Sequence, residues 1–84
     1  MKGVTKSLLE GNSLNALILN DIFALGVGGR FTSKEIADRI TTEDRVITSR
    51  AVAGALRMYN GYYFKVVGES KHKHHIYEVT KVVS

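Results

Sequence analysis

The chain contains no cysteine, no proline and no tryptophan. Without cysteine, neither a disulfide framework nor a thiolate metal site can form. Without proline, the punctuation of the chain falls to its eight glycines. No apolar run approaches the roughly 20 residues that span a bilayer. Met1 to Gly11 lacks the apolar stretch of a signal peptide. No membrane partner is therefore expected, and the expected location is cytoplasmic, in a prokaryotic or a virus-infected cell. Acidic residues are also few, 8 against 12 Lys and Arg, for a net charge of +4. That balance favours a polyanionic partner. What is present suffices for a fold: 84 residues, 44% of them hydrophobic, exclude disorder and allow one domain, residues 1–84.

Catalytic chemistry finds no foothold. There is no thiol nucleophile and no His-x-x-x-His zinc pattern, and the carboxylates are scattered. Gly26-Val27-Gly28-Gly29 follows a helical run, so it reads as a helix stop and not as a phosphate loop. The chain reads as no enzyme and as needing no cofactor. His72, His74 and His75 lie close together, and on a strand His72 and His74 would share a side. Two ligands fall short of the three or four that hold a metal firmly, so no metal is expected.

Helical periodicity marks three segments. Asn12 or Ser13 caps a helix over 14–25, whose apolar side chains point all round the axis. Thr32-Ser33-Lys34-Glu35 fits a capping box, with Phe31 and Ile36 as its hydrophobic staple, for a helix over 33–41. Thr48 caps a third helix over 48–60, stopped by Gly61 and buried along Val52, Ala55, Leu56 and Tyr59. Residues 41–47 form the connection. The period then changes to two. Tyr62, Phe64 and Val66 read as the core face of a strand, with Tyr63 beside Lys65 exposed on the other. A second strand spans Ile76 to Val83, and the polar segment 68–75 joins the two into an antiparallel hairpin.

The order helix, short helix, helix, hairpin resembles the winged helix-turn-helix superfamily of DNA-binding transcription regulators of prokaryotic or viral type. The residues that carry the resemblance are Phe31-Thr32-Ser33-Lys34-Glu35-Ile36-Ala37, then Thr48-Ser49-Arg50-Ala51-Val52-Ala53-Gly54-Ala55-Leu56, then Gly61-Tyr62-Tyr63-Phe64 leading into the hairpin. The resemblance implies an α+β fold of three helices and a two-stranded wing over 62–83. It also implies a third helix that enters the major groove of double-stranded DNA and a wing that touches the backbone. The connection 41–47 is longer than the turn of a simple helix-turn-helix, and Glu43 and Asp44 within it would repel phosphate.

The candidate contacts follow from helical geometry. Arg50, Ala53, Gly54 and Arg57 fall on the arc opposite the buried stripe, with Arg50 and Arg57 seven residues apart on one line. Arginine offers guanine two hydrogen bonds. Gly54, costly in a helix by about 1 kcal/mol relative to alanine, would permit close approach of a partner or tight packing within the protein. The bland alternative is two solvated arginines. Ser49, and Ser33 with Lys34, start helices and are placed to meet phosphate, or merely to cap. Lys71, His72 and Lys73 at the hairpin tip suit backbone contacts, with Arg30 as a flanking cation.

Two further expectations concern partners. Val4, Leu8, Leu9 and the all-round apolar first helix need cover, which a second copy would supply through residues 1–11; the alternative is that this segment folds back in a monomer. The alternative function is a winged-helix module that binds a protein, such as a viral or plasmid adaptor for a host factor or polymerase.

Overall fold

In the computed structural model, residues 4–83 are described. Ser13 accepts the Ala16 N–H at 3.2 Å and so starts α2, Leu14–Leu25. Gly26, at φ +79°, ends it in the left-handed region that favours glycine. Ala16, Ile18, Leu19 and Ile22 are buried, and Leu14 and Phe23 pack at the edge of the core. The remaining cover comes from the chain itself. Thr5 caps a single turn, α1, Lys6–Leu9, which lies on α2 with Leu8 and Leu9 against the core. The Val4 N–H donates to Tyr63 Oη at 2.8 Å, and Asn20 Nδ2 donates to the Leu9 carbonyl at 2.8 Å. The segment expected to recruit a second copy is thus folded back over α2, the arrangement weighed for a monomer; residues 1–3 of that segment lie outside the described residues.

Local capping chemistry also sets the next two helices. Thr32 accepts from the Glu35 N–H while the Glu35 carboxylate accepts from the Thr32 N–H, closing the capping box of α3, Ser33–Ile40. Thr48 accepts the Ala51 N–H at 3.1 Å and starts α4, Ser49–Tyr59. Val52, Ala55, Leu56 and Tyr59 are the buried residues of α4, as its periodicity predicts. Between the helices, Thr41 Oγ1 accepts the Ile47 N–H at 2.8 Å and donates to its carbonyl at 3.1 Å. Arg45 reaches the Asn12 carbonyl at 2.8 Å. Ile47 is buried, so the long connection is tied at both ends and in its middle.

The fold is α+β, and the described residues form four helices and three strands in place of the expected three and two. Arg30–Phe31 form β1, which pairs antiparallel with β3, His75–Val79, and β3 pairs antiparallel with β2, Phe64–Glu69, giving the order β1-β3-β2. A strand of two residues carries no period of its own, and its partners are 46–48 positions away (Arg30 with Glu78, Phe31 with Tyr77). The second hairpin strand stops at Val79 and not at Val83. The Thr80 and Lys81 N–H groups both turn to the Tyr63 carbonyl, at 2.8 and 3.2 Å. Tyr63 is the second correction. It is 4% exposed, whereas Tyr62 and Val66 are exposed. Gly61 sits at φ +98° and its N–H closes a tight turn onto the Phe64 carbonyl at 2.9 Å, which takes residues 61–63 out of the strand alternation. Tyr63 therefore packs on Phe23, with ring centroids 5.7 Å apart, and is lost as a stacking platform. Phe31, Phe64 and Tyr77 form the aromatic centre of the sheet: Phe31 stacks on Tyr77 at 5.3 Å, and Phe64 meets both edge-on at 5.6 Å.

Candidate nucleic-acid interface

One face of α4 closes the core, and the other faces outward. Arg50, Gly54 and Arg57 are exposed there, and Ala53 is half-buried. At 1.5 Å per residue the two arginines start about 10 Å apart along the axis. Gly54 lies between them. A Cβ at Gly54 would meet nothing within 4 Å, so no packing inside the protein requires glycine at this position. Thr48 supplies the cap, which leaves the half-buried Ser49 hydroxyl free of that role. Thr32 does the same for Ser33 on α3.

The cations divide sharply. Three ion pairs form among the described residues: Arg30 with Glu78 at 3.3 Å, Lys34 with Asp38 at 3.4 Å, and Arg39 with Asp21 at 2.7 Å. The Arg39 guanidinium grips Asp21 through both Nε and Nη2, which raises its already high pKa. Arg50, Arg57, Lys71 and Lys73 take part in none of the three, nor do Lys6, Arg45, Lys65 and Lys81. Lys34 and Arg30, both candidate contacts, thus carry charge already shared with a carboxylate. Glu43 and Asp44 are exposed in the connection ahead of α4.

The hairpin tip is built by Ser70. Its N–H donates to the His74 carbonyl at 2.8 Å, its carbonyl accepts the Lys73 N–H at 2.9 Å, and its hydroxyl accepts the His74 N–H at 3.2 Å. Lys71, His72 and Lys73 project from this turn, all exposed. Lys73 has φ +62°, a conformation that costs a residue with a side chain roughly 1–2 kcal/mol. His72 lies in the turn and His74 precedes β3, so the strand geometry that would align them is not formed. Among the described residues no three His, Asp or Glu side chains come together as a metal would require.

Sequence reasoning treats Tyr77 as packing alone. Its ring does pack, stacked on Phe31 and met edge-on by Phe64. Burial pushes the Tyr77 hydroxyl above its usual range, and the nearby Arg57 guanidinium pulls the other way. No local pattern signals this influence, because Arg57 stands 20 positions before Tyr77 in the sequence. Among the described residues no helix is long and apolar enough to cross a membrane. No family model, no curated protein and no solved structure matches the chain.

Proposed function

We propose that this protein binds double-stranded DNA as a winged helix-turn-helix domain and regulates transcription by doing so. In this reading α3 and α4 are the helix-turn-helix, α4 enters the major groove, and the β2–β3 hairpin is the wing. Arg50 and Arg57 read base edges, Ser49 and Ser33 meet phosphate, and Lys71, His72 and Lys73 hold the backbone. Lys34 contributes less, because Asp38 shares its charge.

The observation that carries the reading is Gly54. An exposed glycine in the middle of a helix costs about 1 kcal/mol relative to alanine. Nothing within the protein occupies the space its side chain would take. Flanked by two arginines that hold no carboxylate among the described residues, it makes a flat cationic patch against which a groove wall can close. A homodimer belongs to the same proposal, on apolar surface that the N-terminal segment leaves open, such as exposed Leu25 and Val27. A second reading, a module that docks a protein, is favoured by Val46. This side chain is 76% exposed beside Glu43 and Asp44, ahead of α4.

Binding to random-sequence duplex, followed by fluorescence anisotropy at about 50 and about 200 mM salt, separates the two. Several phosphate contacts lose one or more orders of magnitude in affinity over that range. Absence of binding at the lower salt rejects the DNA reading and leaves the protein-docking one.

A further inference from the structure

We infer that the outer face of α4 selects guanine and thymine: a guanine at each end, about three base-pair steps apart, with a thymine methyl group between them. This deepens the DNA reading and rests on it. The exposed residues of α4 are Arg50, Ala51, Gly54, Arg57 and Met58. At these positions only the two arginines can form hydrogen bonds, and a guanidinium only donates. No Asn, Gln, Asp or Glu lies anywhere in Ser49–Tyr59, so the helix offers a base no carboxylate or amide oxygen.

That inventory decides which bases the helix can tell apart. Adenine is read by a side chain that donates and accepts together, and cytosine by one that accepts. Neither kind faces outward on α4. Guanine presents two adjacent acceptors, N7 and O6, which match the paired donors of an arginine. Arg50 and Arg57 take part in no ion pair among the described residues, so neither charge is already shared. The two start about 10 Å apart along the axis, roughly three base-pair steps of about 3.4 Å. Gly54 lies between them, where a Cβ would meet nothing within 4 Å. A base beneath Gly54 therefore meets backbone and no polar side chain. The thymine C5 methyl group suits apolar contact of that kind, and glycine leaves it room.

The test is selection of bound duplexes from a randomised library, followed by affinity measurements on the selected site. We expect two guanines roughly two to four steps apart, on either strand, with a thymine between them. Arg50→Ala should relax the preference at one guanine and Arg57→Ala at the other, each lowering affinity for the selected site roughly 5- to 150-fold. Two base analogues need no change in the protein. A guanine analogue with carbon in place of N7 should cost roughly tenfold at either guanine. At the guanine that Arg50 reads, this cost should vanish in Arg50→Ala, as expected for two groups in one contact. Uracil in place of the central thymine removes one methyl group and should cost about fourfold. Full affinity for the uracil duplex overturns the thymine contact. Duplex binding without a preferred site, a selected site without the paired guanines, or full affinity for the N7-lacking duplexes overturns the inference and leaves the DNA reading intact. Failure of the wild-type protein to bind duplex at all removes the DNA reading, and the inference with it.

Discussion

On β1 and α3, Arg30, Lys34 and Arg39 each hold a carboxylate, whereas on α4 and the hairpin tip Arg50, Arg57, Lys71 and Lys73 hold none among the described residues. Net charge alone hides this division. A cation 3 Å from a carboxylate projects little field into solvent, and its pair stabilises the fold modestly. A cation without a partner adds nothing to folding and raises the potential that an approaching polyanion meets. Among the described residues the cations of α4 and the hairpin tip thus keep their charge unshared, as do Lys6, Arg45, Lys65 and Lys81 elsewhere, and a mutation on either side tests which of them a partner uses.

The largest test of the division exchanges the roles of the two groups. Arg50→Ala combined with Arg57→Ala should cost about 2–6 kcal/mol of duplex binding, a loss of at least roughly 30-fold, with stability nearly unchanged. Arg39→Ala should do the reverse. It removes the two-pronged grip on Asp21, so stability falls by roughly 1 kcal/mol at most while DNA affinity holds. Anisotropy and thermal melting of both variants decide it; a loss of DNA affinity in Arg39→Ala would erase the boundary between the two regions.

A smaller effect separates lysines that sequence reading treats as equivalent. Replacing Lys71 and Lys73 by alanine should flatten the plot of log affinity against log salt by about 1.8, since each phosphate contact contributes about 0.9. Lys34→Ala should flatten it by clearly less than one such contact, because Asp38 already neutralises part of its charge. Equal slopes for Lys34→Ala and a single tip substitution would show that the surface pair does not matter.

The part of this arrangement legible in the sequence is the part set within about one helical turn. The capping box at Thr32 and Glu35, the cap at Thr48, the buried stripe of α4 and the outward line from Arg50 to Arg57 all depend on neighbours three, four or seven positions away. What sequence reading misses is set by distant partners or by a turn. The Val4 link to Tyr63 spans 59 positions and the Arg39 pair with Asp21 spans 18. The positive φ at Gly61 reverses which of Tyr62 and Tyr63 faces the core, a change that simple alternation cannot foresee. Lys34 with Asp38 is the exception, an i,i+4 pair that helical spacing offers but that the reading of Lys34 as a phosphate contact passes over.

The smallest change sharpens the comparison most. Gly54→Ala adds one methyl group, in open space, to the face that holds the unpaired arginines. For folding alone it is an improvement of up to about 1 kcal/mol, which in a domain this size raises the melting temperature by roughly 4–8 °C. If α4 lies against a groove wall, the same methyl stands between the helix and its partner, so duplex affinity should fall several-fold while the free protein becomes more stable. Opposite signs from one substitution cannot come from misfolding, and they would locate the partner over the middle of α4. A Gly54→Ala protein that melts higher and binds duplex as tightly as wild type would mean that the glycine serves no contact. The case for α4 as the reading helix would then rest on Arg50 and Arg57 alone.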